Sequence, residues 1–128
     1  MLTRETFQGP WAGLPVAWTD EDRFDETAYR ADVARCCQAG VPGVYTGGTT
    51  GEFYAMELDE FQAIARATVE ECHSRGTPAM IGCSSTYTLG AQRRAEFAAE
   101  IGADAVQVTV PFWMEVDTQG IQTFFSDV

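Results

Sequence analysis

The sequence predicts a parallel α/β fold, and three observations carry that expectation. Helical stretches alternate with short β-rich runs at about 25–35 residues per unit, a spacing that suits parallel strands joined by right-handed crossovers. Each helical stretch ends in a glycine, at Gly40, Gly76 and Gly102, placed where a left-handed cap stops a helix without a Cβ penalty. An apolar run of strand length follows each of these glycines. Two architectures meet this pattern, an open doubly wound sheet and a (β/α) barrel, and periodicity alone leaves both open.

The elements can be justified in order. Leu14–Trp18 is the first apolar run and has no helix before it. Tyr29, Val33, Cys36 and Cys37 then fall at i, i+4, i+7 and i+8, a one-faced helical stripe. Phe61, Ile64, Ala65, Thr68 and Cys72 repeat it, with Asp59 and Gln62 expected to form a capping box at the start. Glu57, Asp59 and Glu60 read as negative charge at that helix start. Ala91, Ala95, Ala98 and Ile101 form the third stripe, with Thr86 or Thr88 as expected caps. Strands are expected at 14–18, 43–47, 79–84 and 105–111, and inward positions on the last at Val106, Val108 and Val110 or their alternates. Thr118–Val128 shows helical spacing at Ile121, Phe124 and Phe125 and stops without a cap, so a cut in the fourth helix is expected.

Composition excludes several function classes. The 128 residues hold 19 acidic and 8 basic side chains, a net charge of -11. Such a chain is unsuited to nucleic acid, whose binding needs a basic surface. No run is long and apolar enough to cross a bilayer. The first residues lack the apolar core of a secretory signal, which predicts a cytoplasmic location. Cys36, Cys37, Cys72 and Cys83 form no CxxC pair and are expected to be reduced. One histidine and no carboxylate cluster of ligand spacing leave no expected metal site. His73 is expected to complement a helix C-terminus. All eight basic residues are arginine, so the chain has no lysine.

The strongest chemical signal is Gly47-Gly48-Thr49-Thr50-Gly51-Glu52, directly after the second expected strand. In parallel α/β folds the C-terminal strand ends form the ligand face. Glycines there expose backbone N–H groups, and the two threonines add hydroxyls, a donor set that suits a carboxylate or phosphate. The same residues would also serve as a glycine-rich turn whose hydroxyls cap the next element. No GK[ST] follows, so the run is not a nucleotide P-loop. Ser84 and Ser85 close the third strand, and Pro111-Phe112-Trp113-Met114 follows the fourth, as a pocket wall or a hydrophobic plug. Nothing around Cys83 signals an activated thiolate.

Gly48-Thr49-Thr50-Gly51-Glu52 resembles a motif of the dihydrodipicolinate synthase / N-acetylneuraminate lyase family. Gly40–Val44, Leu58–Phe61, Pro78–Gly82 and Ala99–Val106 leading to Pro111-Phe112 resemble the family's pattern in the same order, from about Leu14 onward. The resemblance implies the N-terminal half of a (β/α)8 TIM barrel, four parallel strands with intervening helices, as one partial domain over 1–128. It implies class I aldolase chemistry, in which a lysine forms a Schiff base with a 2-oxo acid such as pyruvate. That chemistry needs no cofactor. Half a barrel would leave sheet edges open at Leu14–Trp18 and Ala105–Pro111, so self-association into a homo-oligomer is expected. By motif match Gly48, Thr49, Thr50 and Gly51 hold the carboxylate, Thr49 is the catalytic proton-relay hydroxyl, and Ser84 and Trp113 lie beside them. The sequence departs from the family in having Phe112-Trp113 where a relay tyrosine is common, and in lacking the lysine. Two expectations follow: a fragment of a Schiff-base lyase or synthase, inactive alone, or a non-catalytic half-barrel that self-associates or binds a 2-oxo acid.

Overall fold

A computed structural model describes residues 2–128. Its elements run β1 (Ala12–Gly13), α1 (Glu26–Gln38), β2 (Val44–Thr46), α2 (Leu58–Ser74), β3 (Ala79–Gly82), α3 (Thr88–Glu100), β4 (Ala105–Gln107) and α4 (Thr118–Asp127). The four strands pair in parallel in the order β1-β2-β3-β4. That sequential order excludes a switch point, where an open doubly wound sheet reverses direction. The described chain is thus a half-barrel.

The strands are shorter than expected, and the first is displaced. The run 14–18 was expected to be extended, but β1 is Ala12–Gly13, and Leu14 adds one further bond from its N–H to the Tyr45 carbonyl at 3.0 Å. Pro15 follows and has no N–H to donate, which ends the ladder. Trp18 instead makes an isolated antiparallel bridge with Phe24.

Helix ends follow local chemistry. Gly40, Gly76 and Gly102 have φ of 77°, 69° and 78°, the left-handed conformation expected of them. The capping box of α2 lies two residues before the expected one. Glu57 is the N-cap, and its N–H donates to the Glu60 carboxylate at 2.9 Å. Glutamate at both positions displaces the Asp59–Gln62 pair. The N-cap of α3 is Tyr87, without a side-chain cap bond, so neither Thr86 nor Thr88 caps it. His73 does sit in the last turn of α2. There its Nε2 meets Asp104 Oδ2 at 2.8 Å, and the same carboxylate oxygen accepts the Ala79 N–H at 2.9 Å. The N-terminal ends of β3 and β4 are fastened this way.

Alternation along the strands splits the sheet into two faces. Val44, Thr46, Ala79 and Ile81 face the helices and are buried. They join Tyr29 and Val33 of α1, Phe61, Ile64, Ala65 and Cys72 of α2, and Ala98 of α3 in one core. Gly13, Tyr45, Met80, Gly82, Ala105 and Gln107 line the concave face. Register pairs Val106 with Ile81, so Val106 points outward, and the concave positions of β4 are the alternates Ala105 and Gln107. No helix among the described residues is long and apolar enough to cross a membrane.

Candidate active site

The C-terminal ends of β2 and β3 touch backbone to backbone. Gly47 has φ of 70°, and a Cβ there would lie 2.7 Å from the Gly82 carbonyl oxygen. Only glycine fits both strand ends. The chain then folds into a tight turn. Gly51 N–H donates to Gly48 O at 3.0 Å, Glu52 N–H to Thr49 O at 3.1 Å, and Ala55 N–H to Glu52 O at 2.8 Å. Glu52 takes the left-handed conformation, with φ of 54°, unusual for a residue with a Cβ. Its carboxylate accepts the Trp18 indole N–H at 3.3 Å, which ties this turn to the segment after β1.

The turn leaves a donor set open. Among the described residues, the N–H groups of Gly48, Thr49 and Thr50 and the hydroxyls of Thr49 and Thr50 have no hydrogen-bond partner. Three consecutive unpaired N–H groups beside two exposed hydroxyls are the makings of an anion nest. Gly51 has another role. Its N–H closes the turn, and a Cβ there would meet the Leu14 carbonyl oxygen at 3.0 Å, so it shapes the loop.

The other expected residues lie at the same end of the sheet in different settings. Ser84 is buried, and its Oγ accepts both the N–H and the hydroxyl of Thr109 at 3.0 Å. It braces the end of β4. Trp113 is 66% exposed, but its indole N–H is engaged by the Thr86 carbonyl at 3.1 Å. Phe112 stacks edge-on against Phe53, with centroids 5.5 Å apart. Cys83 is buried, and burial pushes its thiol up to about 12, with Arg94 opposing only partly. It is no thiolate at neutral pH. No three His, Cys, Asp or Glu side chains among the described residues cluster to hold a metal ion.

Three residues of this end were not singled out in the sequence. Arg94 of α3 donates to the carbonyls of Ser84 at 2.7 Å, Met56 at 3.2 Å and Phe53 at 3.4 Å, and stacks 5.1 Å over Phe61. It fastens the β2–α2 loop to the end of β3, beside a cavity of about 270 Å³ that includes Ser84 but none of Gly48, Thr49 or Thr50. Burial lowers its pKa. The other two are Tyr45 and Gln107, joined on the concave face by a 2.7 Å bond from the phenol to Oε1. Burial raises the Tyr45 pKa, with Cys83 contributing, so the phenol stays protonated. Strand parity was their one signal, since each lies between two outward-facing residues.

Sequentially ordered parallel strands, intervening helices and an unpaired donor turn at the C-terminal strand ends define a segment of a (β/α) barrel. Residues 6–128 match the model of the dihydrodipicolinate synthetase family, and the chain belongs to that family. It is 30% identical over 127 residues to a 4-hydroxy-tetrahydrodipicolinate synthase of Natronomonas pharaonis, covering 99% of this chain and 42% of that protein. It is 32% identical over 121 residues to the enzyme of the same name from Brucella abortus, covering 94% of this chain and 41% of that one. The fold superposes on a catalytic lysine mutant of the Ruminococcus gnavus sialic acid aldolase with a TM-score of 0.91 at 16% identity, over 99% of this chain and 41% of that one. The chain therefore spans about two-fifths of the length of these relatives.

Proposed function

We propose that these residues form the carboxylate-holding part of a Schiff-base lyase or synthase acting on pyruvate or another 2-oxo acid. The observation that carries this reading is the Gly48–Thr50 turn, whose three N–H groups and two hydroxyls are unpaired among the described residues. A carboxylate wants several short donors on its oxygens. Thr49 is the candidate proton-relay hydroxyl, and Gly51 shapes the loop around it. Ser84 and Trp113 act as neighbours of the site, one through Thr109 and the other as an exposed wall. Residues 1–128 are read as a partial barrel domain. An imine needs an amine, usually from lysine; this chain has no lysine, so none of its side chains can form the imine.

The test is equilibrium dialysis of the chain against radiolabelled pyruvate, with borohydride added in a parallel arm. Thr50→Val should weaken binding by roughly 1.5–3 kcal/mol, the loss of one hydrogen bond to a charged group. Borohydride should fix no adduct at the strand-end face. Unchanged binding by Thr50→Val removes that residue from the site, and a trapped adduct mapped to this face overturns the expectation that these residues form no imine.

A homo-oligomer in the cytoplasm completes the proposal. Strands β1 and β4 are the edges of the sheet, and Phe112, Trp113 and Met114 are all more than half exposed. Unpaired edges and exposed apolar side chains favour association. The -11 charge opposes it, weakly where salt screens beyond about 10 Å. Sedimentation equilibrium should show a dimer or larger species, and a well-folded 14.0 kDa monomer at micromolar concentration would refute this.

A further inference from the structure

The concave face holds a polar pair that the carboxylate-holding turn does not use. Register places Gly82 beside Gln107 in the uppermost row of that face, and Gly47 abuts Gly82. Two glycines leave Gln107 as the one long side chain there. Tyr45 belongs to the row below, with Met80 and Ala105, and its phenol rises into the gap. Its hydroxyl reaches Gln107 Oε1 at 2.7 Å, across an intervening strand. Its ring lies directly under the anion-holding turn, since a Cβ at Gly48 would fall 2.6 Å from the phenol oxygen. The first unpaired N–H of the turn and the Tyr45–Gln107 pair thus adjoin one another.

Resting on the 2-oxo acid reading, we propose that Tyr45 and Gln107 form the floor of the site and recognise the 2-oxo oxygen. With its Oε1 engaged by the phenol, the Gln107 carboxamide has its two Nε2 hydrogens left to donate, and neither has a partner among the described residues. A small acid held by its carboxylate at Gly48–Thr50 directs its next carbon towards this floor. Gln107 Nε2 donates to the carbonyl oxygen on that carbon. Tyr45 is a positioning residue: it fixes which end of the carboxamide faces the ligand. This pair provides the chemical distinction between a 2-oxo acid and a plain carboxylate, because acetate offers nothing for Gln107 to hold. A site that hydrogen-bonds one substrate group discriminates against analogues that lack it.

The experiment is equilibrium dialysis of the 128-residue chain against radiolabelled pyruvate and, separately, radiolabelled acetate. The wild type should prefer pyruvate. Gln107→Met, close in volume but without donors, should weaken pyruvate about fivefold, the effect of one hydrogen bond, and leave acetate within about twofold. Tyr45→Phe should produce the same pattern at about threefold, and it stands as the deciding variant if Gln107→Met does not fold by circular dichroism. Thr50→Val should weaken both ligands alike. If Thr50→Val weakens both ligands while Gln107→Met and Tyr45→Phe keep the wild-type preference, the pair only staples β2 to β4 and the proposal fails alone. If the wild type binds no pyruvate, or Thr50→Val binds both ligands as well as the wild type, the 2-oxo acid reading fails and takes the proposal with it.

Discussion

The two faces of the sheet are made from alternate residues of the same strands and do opposite work. On the helix side, Val44, Ala79 and Ile81 are fully buried, and Thr46 is nearly so. The polar atoms there are paired: the Tyr29 hydroxyl donates to Thr46 Oγ1 at 2.7 Å and lies 2.8 Å from Thr68 Oγ1, which donates to the Ile64 carbonyl. On the concave side Tyr45, Met80, Ala105 and Gln107 are half-buried, and the donors above them are open. Burial free energy is therefore concentrated on the outer face, and unsatisfied hydrogen-bonding capacity on the inner face and its rim. Tight burial and open hydrogen-bonding capacity are thus separated along the strands by a single-residue step.

Substitutions on each face break or sharpen that comparison. The largest effect is expected on the outer face, where Ile81→Ala should destabilise the chain by about 2–5 kcal/mol in urea unfolding, through lost burial plus the cavity left behind. Met80→Ala, one residue away on the inner face, should cost about 1 kcal/mol or less, because Met80 has no opposite wall to lose. Equal costs would mean that the concave face is covered in solution, which self-association would achieve.

Tyr29→Phe is expected to act next. At neutral pH it removes the donor to buried Thr46 and should cost about 1–2 kcal/mol. Its pH dependence has a definite sign. Burial pushes the Tyr29 phenol from 10.0 up to about 12, against the lowering effect of Thr46 and Thr68. The folded state therefore holds this proton more tightly than the unfolded chain. The stability this confers is complete below about pH 10 and is lost as pH rises to about 12, by roughly 3 kcal/mol at most. Unfolding of Tyr29→Phe should lose less stability than the wild type between those pH values. Parallel alkaline curves for the two proteins would show that the phenol is not held in the sealed outer layer.

The smallest stability effect belongs to the rim. Thr50→Val should change unfolding free energy by no more than about 0.5 kcal/mol, while its pyruvate binding falls as described above. A large stability loss would mean that the Thr50 hydroxyl holds the loop together.

Much of this was legible from local patterns. The helix stripes of Tyr29, Val33 and Phe61, Ile64 predicted the core because helical periodicity reports directly which side is apolar. Gly40, Gly76 and Gly102 marked the helix ends because a left-handed residue after a helix is a local requirement. The threonine-bearing turn was visible because its residues are contiguous. Its donors are partly reassigned in the structure: Gly51 spends its N–H within the turn, and Ser84 and Trp113 spend polar atoms on Thr109 and Thr86. Those partners lie 25 and 27 residues from Ser84 and Trp113, beyond the reach of any local pattern.

By itself the sequence determined the order of elements and the residue types at the strand ends, since these follow from periodicity, backbone freedom and side-chain chemistry within a few residues. Periodicity left the strand order open, and the motif resemblance implied the half-barrel whose sequential order the structure shows; tertiary structure alone decided the parity that turned Val106 outward and Gln107 inward. It alone decided the meeting of Tyr45 with Gln107 under Gly48. The physical reason is register. A one-residue shift in parallel pairing exchanges the two faces of a strand, and register is fixed by how distant segments pack together, backbone on backbone at Gly47 and Gly82 and side chain on side chain at Tyr29 and Thr46.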